Sequence, residues 1–198
     1  MIGFLKGRLA QKSPPQLVVE VNGVGYEIEA PMSTFYALPA IGEDLHLFTH
    51  LSIREDAHIL YGFATDTERV LFRSLLRVSG VGGRMALAIL SGISVEGFVR
   101  CVQDEDTAAL VKVPGVGKKT AERLIIELRD RVSGGYLVST TTGAAIVRNA
   151  SAEGAAYSAL VALGYRGTEV TRMLKSIEIG DMSAEEIIRR ALQGAAAQ

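Results

Sequence analysis

The sequence predicts a β-then-α chain in three folded parts: a small N-terminal β-barrel, a central α-helical domain built on a repeated helix-hairpin-helix, and a C-terminal three-helix unit. Three observations carry that expectation. Apolar residues recur with a period of two up to Phe63 and with a period near 3.6 beyond it. The block Leu75–Leu90 recurs as Leu110–Ile125, without a gap. A stretch rich in Gly, Ser and Thr, SGGYLVSTTTGAAIVRNA, then interrupts the helical pattern. The expected boundaries are 1–63, 64–132, 133–150 for the linker, and 151–198.

In the first part, Leu17, Val19 and Val21 alternate with polar or exposed positions, and Val24, Tyr26, Ile28 and Ala30 resume the alternation after Asn22-Gly23. That dipeptide is a strong two-residue hairpin signal. Closing it sets Val21 opposite Val24, Val19 opposite Tyr26 and Leu17 opposite Ile28, so register and apolar face agree. Further strands over Ile2–Leu9, Leu45–Ile53 and His58–Phe63 make five, the number of an OB-fold, although other small barrels fit the same count. His46 and His50 have the spacing of a helical metal pair. On a strand they stand about 13 Å apart, too far to share an ion, and no metal site is expected.

Helical spacing follows. Asp66 or Thr67 is placed to cap a helix through Arg77, Ser94 a second and Asp106 a third, with helix continuing to Val132. Beyond the linker, Leu160 and Leu163 precede Gly164 as a C-cap. Val170, Met173, Leu174 and Ile177 form a second stripe, and Ser183 with Glu186 makes a capping box before Ile187, Ile188 and Leu192.

Composition narrows the function. The 198 residues are 48% hydrophobic and 22% charged, enough to bury a core, and the net charge is −1. A near-neutral chain does not coat nucleic acid by general positive charge, so phosphate binding must come from segregated cations and oriented amides. Its single cysteine, Cys101, is expected to be a small buried hydrophobe. The longest apolar run, Met85–Leu90, is far short of the roughly 20 residues of a membrane span. With no signal-peptide pattern at the start, a cytoplasmic location is expected.

The repeat carries the chemistry. LLRVSGVGGRMALAIL over LVKVPGVGKKTAERLI superposes Val, Gly, Val, Gly and Ala, and pairs Arg77 with Lys112 and Arg84 with Lys119. Each copy is a helix, a tight Gly-x-Gly hairpin and a second helix with a basic first turn. Ala121, Leu124, Ile125, Leu128 and Val132 make one apolar stripe, leaving Lys118, Lys119 and Arg123 on another face. Gly80, Gly82, Gly115 and Gly117 are expected to permit positive φ and close backbone approach. The N–H groups and positive dipole end of the following helix face an anion. One such turn is most often only a helix-helix connection; two in-register copies, each followed by cations, point to a grip on both sides of a duplex minor groove. Contacts of that kind read structure rather than base sequence.

Gly117-Lys118 resembles a phosphate loop for ATP only in part. Such a loop needs Gly where Lys112 stands, Ser or Thr where Lys119 stands, and a buried strand before it. The residues show no nucleophile-base pair and no carboxylate cluster for metal-dependent cleavage. A DNA-binding protein without catalytic residues or cofactor is expected. A helix-hairpin-helix nuclease or glycosylase accessory subunit is the alternative, and a protein-binding adaptor a third.

At these residues the chain resembles the RuvA family. The likeness spans nearly the whole length: MIGFLKGRLA and VNGVGYEIE, then REDAHILYGF, GVGGRMALAILSG and PGVGKKTAERLIIELRDR, and LVALGY near the end. The resemblance implies an OB-fold, two helix-hairpin-helix motifs, a linker and a mobile three-helix (UBA-like) domain that contacts a motor. It implies a homotetramer, with octamers left open, that holds a Holliday junction open and square. The implied partners are four-way junction DNA, the hexameric RuvB ATPase motor and, in a larger complex, the RuvC resolvase. The setting is recombination, repair of DNA damage and the SOS response. DNA binding falls to Gly80, Gly82, Arg84, Gly115, Gly117, Lys118, Lys119 and Arg123, and motor contact to Leu160, Leu163 and Tyr165. Glu55 and Asp56, which read alone are solvated turn residues, align with the family's acidic pin, where carboxylates near the crossover repel phosphates. Two departures stand out: Gly83 and Gly167 occupy positions where relatives often carry Pro.

Overall fold

The computed structural model describes residues 1–55, 57–133, 152–165, 167–175, 177 and 182–196. They fall in two compact units, Met1–Thr140 and Thr141–Gln198.

The first unit begins with five strands, β1 Phe4–Ser13, β2 Gln16–Val21, β3 Val24–Glu29, β4 Asp44–Ile53 and β5 His58–Phe63. They close a barrel in the order β1-β2-β3-β5-β4, with β4 returning to β1. The β3–β5 pairing is parallel. At the hairpin, Asn22 and Gly23 take φ of 50° and 86°, the pair of positive values that a tight two-residue turn needs to match strand twist. The register is the one the alternation demands, Val21 with Val24, Val19 with Tyr26 and Leu17 with Ile28. β1 runs four residues past the expected Leu9. A register shift between Leu9 and Gln11 breaks its ladder with β2, and its first half pairs with β4.

One element was not foreseen. α1, Met32–Ala37, sits between β3 and β4. It has six residues, starts after Pro31 with no side-chain cap, and is too short to show a helical period. Phe35 seals it into the barrel core beside Leu9, Leu17 and Leu47.

Five helices follow: α2 Asp66–Leu75, α3 Gly83–Gly92, α4 Val95–Gln103, α5 Thr107–Val111 and α6 Lys118–Ser133. The α2 cap is Thr65, one residue before the expected Asp66. The Thr65 hydroxyl accepts the Glu68 N–H, and the Glu68 carboxylate accepts the Thr65 N–H. Glu68 is buried and also accepts the hydroxyls of Ser33 and Thr34, so the same capping box anchors α1. A buried carboxylate is tolerable only with its lone pairs occupied in this way. Ser94 caps α4 and Asp106 caps α5, as their spacing predicts.

Barrel and helices share one apolar core. Phe72 is fully buried, with ring centroids 4.7 Å from Tyr61, 4.9 Å from Phe63 and 5.7 Å from His50. Leu71, Leu75, Phe98, Leu110, Leu124 and Leu128 continue the cluster outward. Arg69 adds a polar tie, donating from Nη1 to the Gly3 carbonyl at 2.6 Å and from Nε to Asp66 at 2.9 Å.

The second unit is three helices, α7 Ala152–Ala162, α8 Gly167–Lys175 and α9 Ala184–Ala196, around Ala156, Leu160, Val170, Leu174, Ile187 and Ala191. Gly164 ends α7 at φ 104°, and the Tyr165 N–H reaches back to the Leu160 carbonyl, a left-handed cap. The Ser183 hydroxyl accepts the Glu186 N–H at 3.3 Å. Gly167 opens α8 where a Cβ would stand 2.6 Å from the Tyr157 hydroxyl. The Tyr157 hydroxyl therefore takes the space that a side chain at position 167 would need. The expected linker, Ser133 apart, lies outside the described residues. Among the described residues no single helix is long and apolar enough to cross a membrane.

The ring cluster yields a stability prediction. Truncating Phe72→Ala should cost about 3–5 kcal/mol, the usual range for a buried aromatic whose site cannot collapse. Urea unfolding of wild type and variant measures it; a cost below about 1 kcal/mol would mean that barrel and helices pack independently.

Candidate nucleic-acid interface

The two hairpins are built by the same hydrogen bonds, shifted by the length of the repeat. The Val78 N–H donates to Leu75 O at 3.0 Å and the Val113 N–H to Leu110 O at 3.1 Å. Val81 to Val78 and Val116 to Val113 follow at 3.1 and 3.0 Å, then Ala86 to Gly82 and Ala121 to Gly117, both at 2.9 Å. The four valines are buried, which explains their recurrence: each turn is pinned to the core by two of them.

Gly80 and Gly115 adopt φ of 86° and 88°, a region that side chains rarely occupy. The expectation of positive φ fails at the other two glycines, since Gly82 is extended at φ −99°, ψ 176° and Gly117 is not among the positive-φ residues. A Cβ at either would meet nothing within 4 Å. Neither strain nor packing among the described residues calls for glycine there, and the backbone at both is left open to close approach.

Gly82 is the N-cap of α3 and contributes no side-chain cap bond, and neither α3 nor α6 carries an acid in its first turn. An uncapped helix start of this kind presents N–H groups and a positive dipole end to an anion. Arg84 on α3 and Lys118, Lys119 and Arg123 on α6 are all exposed. The sequence reading set Arg123 among the phosphate ligands, and the structure adds a second duty. Its Nη1 donates to the Ser79 carbonyl at 2.8 Å, immediately before Gly80, so α6 of the second hairpin is tied to the turn of the first. A guanidinium has further N–H groups for a phosphate.

The remaining candidates separate. Glu55 is exposed in a turn closed by the Arg54 N–H on the Ala57 carbonyl at 2.9 Å; Asp56 lies outside the described residues. In the second unit Leu160 is fully buried and serves its core rather than a surface, whereas Leu163 is 62% exposed and Tyr165 half-buried. His46 packs between Phe4 and Phe48, tilted on the first and edge-on to the second, while His50 accepts from Arg73 Nε at 3.4 Å. Among the described residues no cluster of three metal-ligating side chains occurs. Cys101 is half-buried rather than fully so. Burial first, then Asp106 and Asp104, raise its thiol pKa, which suits an unreactive thiol. Sequence reasoning missed a cleft beside the first hairpin, of about 370 Å³, walled by Arg54, Tyr61 and Gly82 to Arg84. Its only signal in the sequence is a mismatch within the repeat, Gly83 against Lys118.

Comparison with known proteins agrees with this architecture. Residues 1–62 match the RuvA N-terminal domain family, 72–130 the SAM-like helix-hairpin-helix tandem family, and 152–196 the RuvA C-terminal domain family. Curated relatives cover the chain end to end. The proteins named Holliday junction branch migration complex subunit RuvA from Pseudomonas paraeruginosa and Pseudomonas syringae pv. syringae are 53% and 52% identical, over 98% of this chain and 99% of theirs. The protein of that name from Stutzerimonas stutzeri is 50% identical over the same shares. With its barrel, its paired hairpins and its C-terminal helices all matched in order, this chain belongs to the RuvA family.

Proposed function

We propose that this protein is the non-catalytic, junction-binding subunit of a DNA branch-migration complex in recombination and repair. The observation that carries the reading is the pair of superposable hairpins, each an open helix start with its own cations, linked by Arg123. Gly80, Gly82 and Arg84 form the first phosphate grip; Gly115, Gly117, Lys118, Lys119 and Arg123 form the second. Two grips of fixed separation hold the backbone on both sides of a duplex minor groove without reading bases. Replacing Lys118 and Lys119 together with Ala should weaken binding to a four-way junction and lower the log–log salt slope by about two, one per lost phosphate contact. An unaltered slope in a folded double variant would remove these lysines from the interface.

The partners belong to the same proposal: a homotetramer on the junction, octamers being open, with RuvB as motor and RuvC joining a larger complex, in the cytoplasm. The division into 1–63, 64–132, a linker over 133–150 and 151–198 assigns the motor contact to the last part, through the surface around Leu163 and Tyr165. The separate core of that unit supports the assignment. A fragment ending at Val132 should retain junctions as the full chain does, yet fail to stimulate an ATP-driven RuvB partner. Loss of junction binding in the fragment would overturn this division of labour.

Glu55 and Asp56 act in this reading as a repulsive filter near the crossover. An exposed turn contributes little to stability, so Glu55→Gln with Asp56→Asn should shift unfolding by no more than about 0.5 kcal/mol. Junction affinity should hold or rise while duplex affinity rises further. Band-shift titrations on both DNAs at one salt concentration give the ratio; a constant ratio, or weaker duplex binding, would make these acids ordinary turn residues.

A further inference from the structure

The two hairpin copies part company at one position that matters for an anion. Lys118 opens α6, and the corresponding residue of α3 is Gly83. The place of a side chain there is taken by the barrel. A Cβ on Gly83 would stand 2.2 Å from the Tyr61 hydroxyl oxygen and 2.7 Å from the ring carbon that bears it. β5 thus delivers a phenol to the place in the first hairpin where the second carries the base of a lysine side chain.

Tyr61 is an unusual residue to find in that position. It is only 4% exposed, with its ring packed on Phe72, yet its hydroxyl makes no hydrogen bond to any described residue. Buried hydroxyls nearly always have a partner, because leaving one unmade carries a desolvation cost. The hydroxyl is aimed at the start of α3, a ten-residue helix with no side-chain cap, and lines the cleft of about 370 Å³ shared with Arg54, Gly82 and Arg84. Burial, and next the Glu29 carboxylate across the β3–β5 pairing, hold the phenol above its ordinary pKa against the opposing Arg54 and Arg84. It therefore keeps its proton at neutral pH and has an O–H to donate. Arg54 and Arg84 both line the cleft, so two guanidiniums face it.

We propose that Tyr61 and Arg54 of the barrel complete the first hairpin's phosphate site, so that one DNA phosphate is held by the open α3 N–H groups, Arg84, Arg54 and the Tyr61 O–H. This rests on the hairpin reading above and deepens it. The second hairpin grips with its own lysines; the first borrows from the barrel. Arg54 adjoins Glu55, so the bound phosphate is set at a fixed distance from the acidic turn, and the strand's path past that turn is defined by attraction on one side of it.

Two full-length variants test the assignment by junction titration over a salt series, with thermal melting alongside. Tyr61→Phe keeps the ring and removes the donor. It should bind a four-way junction about tenfold more weakly, with an unaltered salt slope because a neutral hydroxyl displaces no counterion. Its melting temperature should be equal or higher, since an unpartnered hydroxyl has left the interior. Arg54→Gln should lower the slope by about one. Wild-type affinity in Tyr61→Phe, a lowered melting temperature in that variant, or an unaltered slope in Arg54→Gln would each overturn the composite site. If the Lys118 and Lys119 double variant loses slope while Tyr61→Phe is silent, the hairpin reading stands and the composite site alone falls. If wild type shows no salt-dependent junction binding, both fall together.

Discussion

Everything at the proposed interface depends on the burial of Phe72 between the open end of the barrel and the helical half. That ring sits against Tyr61 and Phe63 of β5 and His50 of β4. It belongs to the helix that leads into the first hairpin. Close-packed interiors transmit position, because side chains in a dense core cannot slide without opening voids. The strands β4 and β5 and the helix leading to the α2–α3 turn are therefore held by one shared core. The Glu68 network and the Arg69 bond to Gly3 fasten the same joint from two further directions. A small core made of two unlike halves thereby acts as one.

That rigidity suits a near-neutral protein. A chain of net charge −1 gains little from long-range attraction to DNA, and its cations are too few to compensate for poor placement. The structure sets Arg84, Lys118, Lys119 and Arg123 at two helix starts whose N–H groups are already oriented. Arg123 is central here. Bonded to Ser79 across 44 residues of sequence, it adds a direct tie between two hairpins whose valines already share one core. Preorganisation of this kind reduces the ordering cost of binding without adding contacts.

Much of this was legible in the residues because it is set by local rules. The Asn22-Gly23 turn fixes its own register, Ser94 and Asp106 cap the helices that follow them, and a repeated turn reveals itself by repeating. What escaped is long-range or short. α1 has too few residues for a period to emerge, and its purpose, sealing the barrel with Phe35 and feeding hydroxyls to Glu68, depends on α2. Thr65 outcompetes Asp66 as cap because only Thr65 is three residues before Glu68, the spacing a reciprocal box requires. Arg123 and Leu160 were assigned to surfaces by motif and family, whereas the Ser79 carbonyl and the α7–α9 core claim them in part or whole. In the sequence Gly83 stands out only as a departure from the family resemblance. In the fold it is close-packed, because a tyrosine from another domain occupies the space.

The glycines at positions 83 and 167, which the family resemblance marks as places for Pro, make the same physical point in different units. At Gly83 and at Gly167 a helix begins, and at each a tyrosine hydroxyl, from Tyr61 or Tyr157, lies closer than a Cβ would tolerate. Proline stiffens a helix start through its own ring and removes an N–H that the helix does not use. Glycine gives up that stiffness but keeps the N–H and leaves room for a hydroxyl beside it, so order is restored by tertiary packing rather than by the backbone. For a phosphate at the first hairpin the exchange alters chemistry as well as rigidity. A proline start offers the anion one fewer N–H; a glycine start offers that N–H and admits a phenol. Position 83 then matters less for how the helix begins than for what the helix start is able to hold.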